Sequence, residues 1–258
     1  MAYKSTIQDT PHGKMQIVAD DATGQRASVF NRTFPAGSLL ALKGAALYGA
    51  GGDYGLSLNT AASTLLPTVI ASHARVAAQN IMRAPFMAFM AIGQAEGQKV
   101  TKATIEAMSV VPATLATRPI RDRAIKQWDA MDTAGKARAI TEWPLEKLAA
   151  LVEVSALDTV DDSLATIARD RYMILRHIEK TGLSAGFAKK PTAQNPLVFG
   201  VDDDAVYAAS KIALDGLKSD IADIENATAV LNDVTTMVAL SCEITINNAF
   251  ALLTNTQA

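Results

Sequence analysis

The segment from Leu217 to Ala258 contains neither glycine nor proline, and its apolar residues recur at intervals of three and four. This spacing is typical of one face of an α-helix and predicts a single long helix. Ser219 is the expected N-cap, and Asp220 and Asp223 lie in the first turn, where carboxylates favour the positive end of the helix dipole. Such a helix would be roughly 50 Å long, longer than most single domains need. The predicted apolar stripe comprises Leu217, Ile221, Ile224, Thr228, Leu231, Val234, Val238, Ser241 and Thr245.

The composition of the chain favours helices over sheets. Of its 258 residues, 49% are hydrophobic and only 5% are aromatic, and much of the apolar content is alanine. Closely packed helices suit such small side chains better than a β-sandwich does. We therefore predict a mainly α fold, a multi-helix bundle with an N-terminal extended arm, a short β-hairpin and a long C-terminal helix.

Charge and cysteine content exclude several classes of protein. The formal net charge of −2 gives no whole-chain reason to expect binding to nucleic acid or to an anionic membrane. Cys242 is the only cysteine, which excludes an internal disulfide and a thiolate metal cluster within one chain. Residues 1–14 are polar and lack the apolar core of a secretory signal, and no apolar run reaches the roughly 18 residues of a membrane span. We expect a cytoplasmic protein, or one assembled there into a particle.

Residues 1–58 are predicted to form a separate N-terminal part. Residues 1–13 are polar, include the breaker His12-Gly13, and are typical of an extended arm without a core of its own. Two β-favouring runs, Met15–Ala19 and Ala27–Phe34, predict a hairpin. The glycines between Gly49 and Gly55 predict a flexible loop.

Residues 59–258 are predicted to form the helical body. Pro85 should kink or divide its most apolar part into two helices. Further helices with short connections are expected up to Gly182, and short connections favour antiparallel neighbours. The stretch 182–201, which is rich in glycine and proline, is predicted to be a long loop. Gly216 is expected to separate the helix that follows this loop from the terminal one.

Residues with chemical potential are scattered and match no catalytic or metal-binding pattern. The acids Asp202–Asp204 are explained by a helix start, where negative charge is favourable. The glycines of residues 49–55 lack the Gly-Lys-Ser/Thr that would follow in a phosphate-binding loop. His12, His73 and His177 lie far apart without the spacing of a zinc site. We therefore predict no catalytic residue, no metal and no cofactor.

Two segments of the chain carry complementary charge. Between Tyr54 and Ala95 there is no acidic residue, and after Lys218 there is no lysine or arginine. Arg75 and Arg83 consequently lack acidic partners within their own segment. We predict that the two segments face each other, within a subunit or between subunits, and that both arginines lie near carboxylates of the terminal helix.

Other basic residues lead to two further expectations. Arg171 falls on an apolar stripe between Ile167 and Ile174, so its side chain should meet a carboxylate or extend to solvent. The basic residues between positions 118 and 138 are interspersed with acids, which favours a solvated mixed surface over a phosphate-binding one. These residues are Arg118, Arg121, Arg123, Lys126, Lys136 and Arg138.

The leading hypothesis is a non-enzymatic structural or assembly subunit of a larger homo-oligomeric particle. The extended arm, the over-long apolar helix, the long loop and the complementary segments support it. A virion component, such as a bacteriophage head, neck or tail part, is its specific case. The expected partners are the protein itself and other assembly proteins. The predicted interface comprises Arg75, Arg83, Phe86, Met87, Met90, Lys189, Lys190, Asp220, Asp223, Leu231 and Val238.

Two alternatives from other classes stay open. A helical enzyme with a dispersed acid–base site requires that two titratable groups converge in a pocket. A membrane-active protein would insert the apolar segment Leu65–Ile92 into lipid. The pool of residues for the enzyme comprises Arg171, Asp170, His177, His73 and Glu153.

Overall fold

A computed structural model describes residues 3–11 and 13–255 of the chain. This part is mainly helical, with a three-stranded antiparallel sheet near the N-terminus and a long helix near the C-terminus, so the predicted fold class is confirmed. The chain divides into two compact units: unit 1 combines Met1–Lys99 with Ile221–Ala258, and unit 2 is Val100–Asp220. The division differs from the predicted boundary after residue 58 because the sheet shares one core with helices from both ends of the chain.

Unit 1 begins with three antiparallel strands in the order β1-β2-β3. β1 is Tyr3–Thr10, β2 is Gly13–Asp20 and β3 is Arg26–Phe30. β2 and β3 are the predicted hairpin, which is confirmed, and Ile17 lies opposite Ser28 in its register. One face of the sheet packs on the core, as alternation along antiparallel strands allows. This face carries the buried residues Val18, Ala27 and Val29.

The extended conformation predicted for residues 1–13 is confirmed where the structure describes it, and the segment is attached to the core of unit 1 rather than free of it. Tyr3 is only 2% exposed and belongs to the core of unit 1. The N–H of Ser5 donates to Asn59 Oδ1 at 2.8 Å, and Asn59 Nδ2 donates to the carbonyl oxygen of Ser5 at 2.9 Å. The Asn59 amide thus covers part of the sheet edge. Outside the described residues lie Met1, Ala2, His12 with its predicted breaker, and residues 256–258.

The glycine-rich segment predicted as a loop is helical, which corrects the sequence interpretation. Helix α1 runs over Leu39–Thr64 and includes the whole segment. A Cβ on Gly55 would lie 2.2 Å from Ser5 Oγ, and one on Gly51 would lie 2.6 Å from Gln16 Oε1. These two glycines therefore let the helix approach the sheet closely, and they serve packing rather than flexibility.

The chain after α1 is helical through the proline that was expected to interrupt it. The elements are a 3₁₀ turn at Pro67–Val69, α2 at Ile70–Ala77, a π-helical turn at Ala78–Met82 and α3 at Arg83–Met108. The two expected helices are α2 and α3, but the π turn and not Pro85 divides them, since the proline lies inside α3. The π turn ends three residues before the proline and changes the local hydrogen-bond spacing, which accommodates a residue without an N–H.

Unit 2 contains a series of helices with short connections, as predicted. They are α4 at Arg118–Asp129, α5 at Thr133–Glu142, α6 at Leu145–Glu153 and α7 at Asp162–Thr181. Asp132 and Asp161 cap α5 and α7 by accepting hydrogen bonds from backbone N–H groups. Gly182 ends α7 with a φ of 62°, a conformation that glycine adopts without strain. A core built around Trp128, Ile140, Leu151 and Tyr172 holds these helices together.

The predicted long loop after α7 is present. It opens with a 3₁₀ turn at Leu183–Gly186, and an antiparallel bridge joins Ala188 to Val201. The N–H of Lys189 donates to the carbonyl oxygen of Gly200 at 2.9 Å, so the two ends of the loop run side by side.

The long helix after the loop begins earlier than predicted. Helix α8 runs over Asp203–Cys242, about 60 Å at 1.5 Å per residue. Ser219 is therefore not an N-cap, and Gly216 does not separate two helices. A single glycine inside a helix of this length costs about 1 kcal/mol relative to alanine, which many neighbouring helical hydrogen bonds outweigh.

The same helix also ends earlier than predicted. Glu243 adopts a left-handed conformation with φ 54°, and the N–H of Ile244 donates back to the carbonyl oxygen of Ala239 at 3.1 Å. This geometry is a Schellman motif, which usually has glycine in the position of Glu243. Thr245 then caps helix α9, Ile246–Thr254, instead of continuing the apolar stripe, and α9 is bent from α8 by 106°.

Candidate interaction surface

Helix α1 carries small and apolar residues on two opposite faces. One face is buried in the core of unit 1 and comprises Leu40, Gly44, Leu47, Gly51, Tyr54, Leu58 and Ala61. The opposite positions alternate in steps of three and four and are exposed; they are Leu39, Leu42, Ala46, Gly49, Asp53, Leu56, Thr60 and Ser63. We call this second set the exposed α1 face. A surface helix normally needs one apolar stripe, so the second stripe is a candidate surface for packing against another helix.

Three leucines give the exposed α1 face its apolar character. Leu39, Leu42 and Leu56 are 52%, 62% and 66% exposed. Single exposed leucines are ordinary on protein surfaces, but here they lie on one seam whose spacing is that of the core positions of a coiled coil. Asp53 is the one charged residue within the seam. The seam is therefore suited to packing against another helix.

Two further glycines of α1 have no packing role within the described chain. A Cβ added to Gly49 or to Gly52 would meet no atom within 4 Å. This contrasts with Gly51 and Gly55, where a Cβ would collide with the sheet. Each glycine inside a helix costs about 1 kcal/mol relative to alanine. If a second helix approached closely at these positions, the lack of a side chain would be needed for the contact.

The exposed α1 face is also flanked by opposite charges. Asp53 lies on the face and is exposed, and Lys43 lies beside Leu42 and is half-buried. Neither residue belongs to an ion pair among the described residues. Both charges are therefore available to a partner that approaches the face.

Sequence reasoning missed this face because its glycines were interpreted as a loop. The signal was present, since Leu39, Leu42, Gly49 and Leu56 already follow the alternation of three and four. It was obscured because glycine has low helix propensity, and tertiary packing against the sheet overrides that propensity.

The structure places the predicted interface residues in different surroundings. Phe86 and Val238 are fully buried in the core of unit 1, and Met90 and Leu231 pack against that core. These four residues belong to the interior of the chain. Exposed are Met87, the loop residues Lys189 and Lys190, and Asp220 on α8. Asp223, also on α8, is half-buried.

Arg75 and Arg83 do contact the terminal segment, but their acceptors are not carboxylates. Arg75 Nε and Nη2 each donate to the carbonyl oxygen of Cys242 at 3.2 Å, at the end of α8. Arg83 Nε donates to the carbonyl oxygen of Leu252 at 3.0 Å, in the last turn of α9. The last carbonyls of a helix carry partial negative charge and lack partners within the helix. The prediction of facing segments is therefore correct, and the predicted acceptor is wrong.

In unit 2 the buried arginine is not the one that sequence analysis selected. Arg171 donates to the carbonyl oxygen of Trp143 at 3.4 Å and lies over the ring of Tyr207, without a carboxylate. Arg121, which was assigned to a solvated surface, is only 4% exposed, and it donates to Glu146 and Glu153 at 2.9 Å each. Burial lowers the pKa of Arg121, but hydrogen bonds to both carboxylates outweigh this effect and raise it.

The titratable residues proposed for an enzyme are not assembled into a catalytic pair. His177 Nδ1 lies 3.1 Å from Ser210 Oγ, and this hydroxyl donates to the carbonyl oxygen of Ile174 at 2.9 Å. When the hydroxyl proton is directed at that carbonyl, His177 Nδ1 is the donor to Ser210 Oγ and does not act as its base. His73 lies 3.0 Å from Ser57, while Asp170 and Glu153 are paired with Lys218 and Arg121. Burial raises the pKa of Cys242, so this thiol stays protonated.

An open cavity of about 560 Å³ lies in unit 1 where α8 ends beside the sheet. Tyr3 Oη donates to Glu243 Oε1 at 3.0 Å on its wall, and Asp20 accepts hydrogen bonds from Ala22 and Thr23. Burial, together with the hydrogen bond to Glu243, raises the pKa of Tyr3 far above its ordinary value. Hydrogen bonds from Thr23 and Ala22 lower the pKa of Asp20. The hydrogen bond from Tyr3 to Glu243 attaches the first strand to the end of α8.

Replacing Tyr3→Phe should destabilise the protein by about 1 kcal/mol at neutral pH, because one buried hydrogen bond is lost. The raised pKa predicts that this difference shrinks above about pH 10, where the unfolded chain of the wild type loses the Tyr3 proton before the folded chain does. Urea unfolding of both proteins at pH 7 and pH 11 measures the change. A difference that is the same at both pH values would contradict the assigned role of the hydroxyl.

The described residues contain no group of three or more His, Cys, Asp or Glu side chains placed to hold a metal ion. Within the same part of the chain no single helix is long and apolar enough to cross a membrane, and α8 and α9 reach the required composition only as a bent pair. No family model matches the chain, and no curated protein or solved structure is significantly similar to it.

Proposed function

We propose that this protein is a non-enzymatic, self-associating subunit of a larger assembly. The observation that carries the proposal is the exposed α1 face, with its three leucines on one helical seam and its two glycines without a packing role. Burying the exposed parts of these leucines would contribute about 1–2 kcal/mol for each side chain. The face therefore suits a helix-to-helix contact between subunits.

The identity of the assembly is a separate question from self-association. The exposed α1 face supports association without defining its stoichiometry or further partners. A bacteriophage head, neck or tail component stays the specific case predicted from the sequence. Other assembly proteins stay predicted partners.

The test is the absolute mass of the protein in solution, measured by light scattering across a wide range of concentrations. We expect the wild type to grow from 27.2 kDa to larger species as the concentration rises. The double variant Leu42→Glu, Leu56→Glu should stay monomeric at all concentrations, because it places charges on the seam. Both side chains are exposed in the subunit, so its circular dichroism and thermal stability should change little.

Leu115→Glu is the matched control, because Leu115 is exposed and lies in unit 2, outside the exposed α1 face. This variant should associate as the wild type does. The proposal fails if the wild type is a monomer throughout, or if the double variant associates as strongly as the wild type.

A further inference from the structure

We infer that the partner of the exposed α1 face is the same face of a second copy, packed antiparallel. This inference rests on the proposed self-association and adds the identity, direction and register of the contact. It is carried by the order of leucines, small residues and charges along α1. Helices of opposite direction also place their dipoles favourably against each other.

The register follows from the seam spacing. The seam positions fall into two sets that alternate along α1. In an antiparallel pair of helices, each position of one set lies opposite a position of the other set on the second helix. The contact then places Leu39 opposite Leu56 of the second copy, and Leu56 opposite its Leu39. Ala46 lies opposite Gly49 in the centre, again twice. The two-fold symmetry makes every contact occur in both directions, so one pair of faces closes on itself as a dimer.

The charges select this direction over a parallel one. In the antiparallel register Asp53 lies opposite Leu42 of the second copy and beside its Lys43, which gives two opposite-charge pairs by symmetry. A parallel, in-register pair would instead place Asp53 against Asp53, and the two Lys43 side chains would lie on opposite sides of the pair, away from Asp53. Like charges at close range oppose association. Both residues lack an ion-pair partner within the described chain, so the pairing satisfies them without breaking another contact.

The small residues set the distance between the two helices. Ala46 and Gly49 occupy the centre of the register, and Gly52 flanks it. The distance between packed helices is shorter where the side chains at the contact are smaller. Close approach at the centre brings the leucine pairs at either end into full contact. Close packing of the two helices is thus a structural role for Gly49 and Gly52, which have none within the described single chain.

The first experiment uses introduced thiols in the full-length protein. Leu39→Cys and Leu56→Cys are prepared separately, and each is oxidised alone and in an equimolar mixture. The native Cys242 is fully buried and does not interfere. We expect a covalent dimer in the mixture and little in either variant alone, because the antiparallel register brings positions 39 and 56 together.

The outcomes separate the two proposals. Covalent dimers in each single variant, with no gain on mixing, would show a parallel pair and overturn the inference while leaving self-association intact. No covalent dimer in any sample, together with a wild type that associates by light scattering, would show that another surface is used. A wild type that stays monomeric at all concentrations would refute the proposed function itself.

Exchange of the charges gives a second, independent test. Lys43→Glu and Asp53→Lys should each weaken dimerisation roughly three- to tenfold, because both ion pairs become repulsive. The double variant carrying both changes should regain the wild-type dissociation constant, because the pairs are restored in reverse. Single variants that bind as the wild type does would contradict the antiparallel register, since in a parallel pair Asp53→Lys exchanges one like-charge contact for another and Lys43 faces no Asp53.

Discussion

Gly55→Ala should lower the free energy of unfolding by about 2–3 kcal/mol, although alanine is the better helix former. The added Cβ would lie 2.2 Å from Ser5 Oγ, 2.7 Å from Gln16 Nε2 and 2.9 Å from Ser5 Cβ. Either α1 or β1 must shift to make room. The hydrogen bonds that join Ser5 to Asn59 then lengthen, so the first strand should separate from the helix more readily.

Gly49→Ala is the matched control for this prediction. It is the same substitution in the same helix, in open space, so it should stabilise the monomer by up to about 1 kcal/mol. Urea unfolding of both variants at low protein concentration measures the two effects, and hydrogen exchange of β1 should be faster in Gly55→Ala alone. Equal stabilities for the two variants would mean that α1 does not approach the sheet as closely as described. At high concentration the control should associate less than the wild type, because its methyl group lies at the centre of the inferred contact.

Arg121→Ala should destabilise unit 2 by about 2–3 kcal/mol. The side chain is 4% exposed, and its removal leaves a cavity between α4 and α6 and two carboxylates without their donor. Glu146 and Glu153 are 31% and 43% exposed, so water can hydrate both after the change. The expected loss of stability is therefore smaller than the loss on breaking a fully buried ion pair. Lost packing of the arginine side chain contributes much of it.

Arg121→Met separates packing from charge. Methionine fills most of the same volume without the hydrogen bonds, and we expect a loss within about 1 kcal/mol of the wild type. Glu153→Gln should likewise have a small effect, because this carboxylate is largely exposed. Thermal unfolding followed at Trp128 and Trp143, which both belong to the core of unit 2, measures the series. If Arg121→Met were as destabilising as Arg121→Ala, the ion pairs and not the packing would dominate.

The parts of the fold that local signals determine were predictable from the sequence. Asp161 and Gly182 mark the two ends of α7 because caps act through hydrogen bonds to nearby backbone groups. The hairpin of β2 and β3 was predictable because alternating β-favouring runs flank a turn segment. Helix existence and order in unit 2 followed from the same kind of evidence.

The errors arose where distant residues decide the local conformation. Gly51 and Gly55 are helical because the sheet packs on them, and nothing near them in the sequence indicates this contact. Glu243 ends α8 in a conformation that usually requires glycine, and its hydrogen bond with Tyr3, at the other end of the chain, cannot be read from neighbouring residues. The exposed α1 face was missed for the same reason. Residues 49–55 were interpreted as a loop, and the positions of a loop are not assigned to the faces of a helix.

The prediction from charge identified the segments that contact each other, but it named the wrong hydrogen-bond acceptors for the two arginines. Sequence analysis placed Arg75 and Arg83 near the base-free terminal segment, and the structure confirms that contact. Composition counts only side-chain charges, whereas the arginines bind backbone carbonyls at two helix ends. The partial charge of helix termini is a negative partner that no count of acids includes.

The discontinuous composition of unit 1 determines the order in which the protein can mature on the ribosome. Residues 100–220 emerge as a complete unit 2 while the N-terminal part of unit 1 still lacks the end of α8 and all of α9. Ribosomes add 5–20 residues per second, so roughly 120 residues correspond to about 6–25 s of waiting. During that time Phe86 and Phe89, which share the core of unit 1 with Val234 and Met237 in the folded protein, lack part of that core. The nascent chain therefore completes unit 2 before residues 221–255 complete unit 1.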